Sequence, residues 1–178
     1  MWEYYRPNMI EGTVEDIYRS HGILHPWDLR IENLMRTFSI DLRYWFLEPK
    51  CMWSENKRVI FLTKGLTGFA YKQTFFHEFG HVLVHEGDQL AMSDAQRQLM
   101  ERDIRRFLRF AMMPAFMLRQ LEPYLLSSPW DLVELFEVPY QYVINRLKDI
   151  RRRIWNRYWL EQEAKWRCQQ NRSYVYSG

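Results

Sequence analysis

The run Thr74-Phe75-Phe76-His77-Glu78-Phe79-Gly80-His81-Val82-Leu83-Val84-His85-Glu86 decides how the chain is read. Within it, His77-Glu78-Phe79-Gly80-His81 has the H-E-x-x-H spacing of a zinc hydrolase. On a helix, residues four apart stand one above the other on one face, so both imidazoles can reach a single ion. Glu78, about 100° further round, flanks that ion, where its carboxylate can take a proton from water. The predicted metal ligands are therefore His77 and His81, the predicted general base is Glu78, and the predicted cofactor is Zn2+. His85 continues the spacing, yet it stands about 12 Å of helix rise from His77, whereas zinc sits about 2 Å from each ligating nitrogen. It is read as a packing or hydrogen-bonding residue, not a ligand.

A helical wheel of residues 69–86 gathers Phe75, Phe79, Val82 and Leu83 on one side. Gln73, Thr74, His77, His81 and Val84 gather on the other. The histidines are expected to point away from the core toward a cleft, with Gly80 leaving room for substrate or another helix. A catalytic zinc site keeps three protein ligands and one open position, so a third ligand is needed. The next helix, capped by Ser93 and running to about Met113 before Pro114, offers two acids. Its apolar stripe is Met100, Ile104, Phe107, Leu108 and Ala111. With Ile104 at the centre, Glu101 falls about 60° away and Asp103 about 100° away on the other side. An acid at the edge of an apolar stripe calls for a reason, and a metal supplies one. Glu101 is preferred, and Asp103 is the alternative.

Composition sets the frame around this site. The chain has 178 residues, 47% hydrophobic and 17% aromatic, enough to bury the core of one domain and too apolar for a disordered chain. A net charge of +3 permits an acidic partner but demands none. The opening Met-Trp-Glu-Tyr-Tyr-Arg-Pro-Asn lacks the basic and apolar regions of a signal peptide, and no apolar run approaches a membrane span. The expectation is a cytoplasmic protein with no membrane partner. Cys51 and Cys168, far apart and not in a C-x-x-C pair, are read as two reduced thiols.

Upstream of the motif, Thr13-Val-Glu-Asp16 resembles a capping box, predicting a helix that follows it and ends near Gly22. Pro26 suits the first turn of a second helix, striped by Leu29, Ile31, Leu34, Met35 and Phe38. Residues 41–47 and 58–63 read as strands. His21 and His25, with no partner at ligand spacing, are read as surface or capping residues. Downstream, Pro123 and Ser127-Ser128-Pro129 mark a boundary. A short helix at 130–136, a turn at Glu137-Val-Pro139 and a long helix to about Gln169 follow. Val143, Leu147, Ile150, Ile154 and Tyr158 form its seam. Arg146, Lys148, Arg151, Arg152, Arg153 and Arg157 cluster beside the seam. They are read as a solvated helix face before a phosphate-binding one, with docking of an acidic region of a protein substrate as a third use. Trp155, Trp159 and Trp166 are expected to pack on the body of the protein or on a second copy.

The motif, then Glu101 and a helix ending Ala111-Met112-Met113-Pro114, resembles the ImmA/IrrE family of metallopeptidases. Leu132 to Leu147 resembles that family's following helix-turn-helix-like segment, and the likeness spans roughly residues 58 to 148. By position, His77 and His81 match the family's metal ligands, Glu78 its general base and Glu101 its third ligand. The sequence departs from the family after Glu101: Ile104-Arg105 replaces a small Ala-Asn pair, and Leu108-Arg109 replaces small residues near the helix end. That leaves substrate preference more open than the metal site. The resemblance implies an intracellular regulatory protease, often encoded by a prophage or mobile element, that inactivates a DNA-binding repressor.

The expected fold is thus α+β, mostly helical and zincin-like, with a small β-sheet beside the motif helix and a helical C-terminal segment. The expected division is 1–122, a zinc metallopeptidase-like domain, and 123–178, a helical segment with a helix-turn-helix-like start and a long basic helix. The expected function is a zinc endopeptidase making limited cuts in a helix-turn-helix repressor. The alternative is a non-proteolytic zinc-containing regulator acting through its C-terminal helices on DNA or a protein partner.

Overall fold

The computed structural model describes residues 2–54, 57–84 and 93–175. Helix α1 (Met9–Ser20) begins earlier than the Thr13 signal suggests. Its N-cap is Asn8, whose side chain accepts from the Glu11 amide, while Thr13 sits inside the helix and donates to the Met9 carbonyl. The Thr-x-x-Asp pattern fails as a cap because Asn8 stands one residue before the first helical turn and closes it first. Pro26 opens a short 3-10 turn rather than an α-helix, and α2 (Ile31–Thr37) starts afresh after Arg30. His21 caps the end of α1 through the Ile17 carbonyl, and His25 stacks on Trp27.

Strands β1 (Ile40–Trp45), β2 (Lys50–Ser54) and β3 (Lys57–Thr63) form one sheet in the order β1-β3-β2. β1 runs parallel to β3, and β2 is antiparallel to it. β2 was not expected from the sequence. The register sets Leu42 and Cys51 on either side of Ile60, so these three share the face that carries the fully buried Ile60 and Leu62.

Helix α3 (Gly68–Val84) carries the motif and packs on that sheet. Phe75, Phe76 and Phe79 are fully buried and meet one another edge-on or stacked, with Phe38 edge-on to Phe79. The two-faced wheel is too simple for this helix. Phe76, Glu78, Gly80 and His81 are buried as well, whereas Val82 and Leu83 are only half-buried. Protein covers α3 on several sides, and His77 alone of the motif pair keeps substantial access to solvent.

Helix α4 (Asp94–Ala111) starts at a capping box: the Gln96 side chain accepts from the Ser93 amide, and the Ser93 hydroxyl accepts from the Gln96 amide. Its far end is fastened by three side chains from elsewhere. Tyr18 donates to the Ala111 carbonyl, Tyr142 to the Leu108 and Arg109 carbonyls, and Arg146 to the Met113 carbonyl. Carbonyls at a helix end run short of backbone donors, and of these only Leu108 also accepts from an amide among the described residues, that of Met112, so α1 and the C-terminal helix anchor α4 where Pro114 ends it. Short helices α5 (Ala115–Leu118) and α6 (Pro123–Ser127) follow, then α7 (Pro129–Phe136) and the long α8 (Tyr140–Val175).

Glu137 adopts a left-handed conformation just after α7, and buried Lys72 donates to the Phe136 carbonyl and pairs with the Glu137 carboxylate. Val143, Leu147, Ile150 and Ile154 are buried in the same core as Phe75 and Phe107, as the predicted seam requires. Tyr158, the next seam position, is half-buried and edge-on to Tyr4. Trp155, Trp159 and Trp166 lie off the seam and are 54–62% exposed, so they do not pack on the body of the protein, the first of the two places expected for them. Trp155 and Trp159 stack on each other instead. The fold is therefore α+β and mostly helical, with one small mixed sheet.

Candidate metal centre

Three side chains from two helices converge. His77 and His81 come from successive turns of α3, and Glu101 comes from the second turn of α4. The Nε2 atoms of the two histidines are 3.3 Å apart. The Glu101 carboxylate places Oε2 3.4 Å from His77 Nε2 and Oε1 3.1 Å from His81 Nε2. A tetrahedral ion bonded at about 2.0–2.1 Å holds its ligand atoms roughly 3.3–3.4 Å apart, close to the separation of the two imidazole nitrogens and to that of each nitrogen from its nearer carboxylate oxygen. Two imidazoles and a carboxylate also form a donor set suited to zinc. Asp103, the alternative acid, is not part of this cluster; it pairs with Arg106 at 3.7 Å. His85 lies outside the described residues.

The approach of α4 to α3 depends on Gly80. A Cβ built there would meet the Phe107 ring at 2.9 Å and the Ile104 side chain at 3.3 Å. Phe107 is buried and cannot swing away, so any side chain at position 80 pushes α4 outward and carries Glu101 off the histidines. Gly80 thus makes room for another helix, one of the two roles the sequence suggested.

The electrostatics suit metal binding. Burial holds the His77 imidazole below its ordinary pKa against the pull of Glu101, and the nearby Arg105 guanidinium lowers it further. His77 is therefore neutral at pH 7, the form that ligates. Glu78 is buried, and that burial raises its carboxyl to about 7, with Cys51 hydrogen bonding opposing the rise and Glu101 adding to it. A carboxylate with that pKa accepts and returns a proton readily near neutrality.

Two neighbours of the site escaped the sequence reading. The Cys51 thiol on β2 hydrogen-bonds the Glu78 side chain, and burial raises its own pKa far above the usual thiol range, which makes it an inert donor rather than a nucleophile. Reading 50–54 as the hairpin partner of 57–63 would have placed it, since it lies opposite Ile60 on the inner face. Arg105 stands one turn beyond Glu101, a spacing visible in the sequence, and its charge is felt at His77.

The sequence profile of the IrrE N-terminal-like domain matches residues 33–148. The chain belongs to the ImmA/IrrE family of metallopeptidases. No curated protein and no solved structure matches it. The ImmA/IrrE match takes in β1 to β3, both site helices and the first two turns of α8. Glu11 and Arg153, which hold α1 and α8 together, fall on either side of it. As a metallopeptidase the protein acts on a protein or peptide substrate. Among the described residues, no helix is long and apolar enough to cross a membrane.

Proposed function

We propose that the protein is a zinc-dependent endopeptidase, with His77, His81 and Glu101 holding the metal and Glu78 serving as general base. One observation carries the reading: two imidazole nitrogens 3.3 Å apart face a single carboxylate, each within 3.4 Å of one of its oxygens, a convergence of donors that suits one metal ion. When bound there, zinc supplies Lewis-acid polarisation of the scissile carbonyl and activation of water for attack. The Glu78 carboxylate takes the proton that the attacking water loses and hands it to the leaving amine. The Cys51 thiol donates to that carboxylate and limits its rotation between the two transfers. The neutral His77 ring offers a lone pair to the metal without having to shed a proton.

The substrate we propose is a helix-turn-helix repressor, cut at one or a few peptide bonds, with the protein acting in the cytoplasm as an anti-repressor. The family membership supports a regulatory role of this kind. The test is incubation of the purified protein with a panel of purified helix-turn-helix repressors from the same genome, followed by mass spectrometry of the fragments. Discrete fragments are expected with zinc present. A chelator should stop their formation and added zinc should restore it. An intact repressor in every condition, or cutting that a chelator leaves unchanged, refutes the proposal.

A further inference from the structure

A second concave surface lies beside the candidate metal centre. It is a cleft of about 570 Å³ between α4 and α8, a size usual for ligand-binding clefts. Gln73, one turn before His77, and Arg105, one turn after Glu101, form the end nearest the metal site. Arg109 and Lys148 line its length, over a floor that includes Leu108 and Tyr142. Arg105, Arg109 and Lys148 are exposed and make no ion pair among the described residues.

Of the other cations of the basic run, Arg151 is exposed outside the cleft and the remaining four are paired. Arg146 and Arg153 pair with Glu11 and Asp149, Arg152 with Asp149, and Arg157 with Glu161. A surface that tracks a nucleic-acid backbone needs a long row of uncompensated cations. Here three unpaired cations instead share a short cleft on two helices, over an apolar and aromatic floor, and Arg105 at one end of it stands one helical turn from Glu101.

We propose that this cleft binds an acidic stretch of the protein substrate next to the scissile bond, with Arg105, Arg109 and Lys148 as specificity-determining residues. The inference rests on the endopeptidase reading and narrows its substrate class. Carboxylates of the bound stretch pair with the three cations, while its apolar side chains lie on Leu108 and Tyr142. Arg105, nearest the histidines, sets how far from the cut the first acid must stand.

The test uses the full zinc-loaded chain and labelled probes followed by fluorescence anisotropy at low and high salt. The probes are a short glutamate-leucine-alanine peptide, its glutamine counterpart, both peptides extended by a hydroxamate that binds metal, and oligo-thymidylate. The glutamate peptide should bind at least about tenfold tighter than its glutamine counterpart, a difference of about 1.4 kcal/mol, and salt should erase the difference. Joint Arg105→Glu, Arg109→Glu and Lys148→Glu substitution should abolish the preference, whereas Arg151→Glu, an equal change of sign per site on an exposed position outside the cleft, should preserve it.

If the triple variant melts early, Arg105→Gln and Lys148→Gln must each weaken the glutamate peptide severalfold. An equal loss in Arg151→Glu, no effect of either glutamine variant, or oligo-thymidylate binding as tightly as the peptide overturns the proposal. The glutamine peptide with its hydroxamate reads the metal site alone, so failure of the endopeptidase reading and failure of the cleft give different results.

Discussion

Glu78→Gln is expected to bind zinc as the unmodified protein does and to cut its substrate about 10²–10⁴-fold more slowly, the usual contribution of a positioned general base. The two halves of that result have separate causes. Glu78 is not among the three converging residues, so the glutamine variant leaves the proposed metal ligands in place. Glutamine keeps the shape and a carbonyl acceptor for the Cys51 thiol, but it cannot take a proton. The burial that raises the Glu78 carboxyl to about 7 gives the native residue a proton affinity matched to neutral pH, which the variant loses entirely. Metal content measured beside cleavage rate checks both halves. A variant that holds zinc and cuts at the native rate removes Glu78 from the mechanism.

Glu11→Ala should have the largest effect on stability of any single substitution considered. Glu11 is 3% exposed and accepts from Tyr5, Arg146 and Arg153. Arg146 is itself fully buried, and its remaining acidic neighbour, Asp149, stands 3.6 Å away while also pairing with Arg152 and Arg153. Removing Glu11 therefore strands a buried guanidinium, a change that costs about 3–5 kcal/mol in comparable buried pairs. For a chain of this length that is a fall in Tm of roughly 6–20 °C. Thermal unfolding by circular dichroism measures it, and a shift of only a degree or two would mean that water or Asp149 compensates Arg146. The loss should reach the candidate metal centre as well, because Arg146 also holds the Met113 carbonyl at the end of α4.

These two residues show where sequence reading reaches and where it stops. His77, Glu78 and His81 could be picked out because they form a recognisable motif, and helical periodicity turned the positions of Glu101 and Asp103 into directions. The choice of Glu101 over Asp103 came from the same periodicity, and the structure sets the first beside the histidines and the second against Arg106. Glu11 and Cys51 were not legible. Glu11 meets Arg146 across 135 positions of sequence, and nothing local marks an acid in an amphipathic helix as buried. Cys51 depended on a strand too short to stand out, lying just after Pro49. The tryptophans of α8 lie off its seam, and periodicity identifies the apolar face without saying whether the body of the protein covers the residues beside it.

The basic run of α8 also looks different once its partners are known. In the sequence it is a block of like charge beside an apolar seam. In the fold, acids from α1 and from α8 itself neutralise four of its arginines, and of the two cations left over Lys148 faces a cleft that it shares with Arg105 and Arg109 of α4. Net charge alone could not distinguish these arrangements, because pairing is a property of tertiary structure.

The central claim is that two histidines of α3 and one glutamate of α4 hold a single zinc ion. Zinc content of the purified chain, measured by inductively coupled plasma mass spectrometry for the native protein, Glu101→Ala and Asp103→Ala, tests it most directly. The account predicts one zinc per chain in the native protein and in Asp103→Ala, and its loss on mild dialysis from Glu101→Ala. Full retention of zinc by Glu101→Ala, or loss from Asp103→Ala instead, would contradict it.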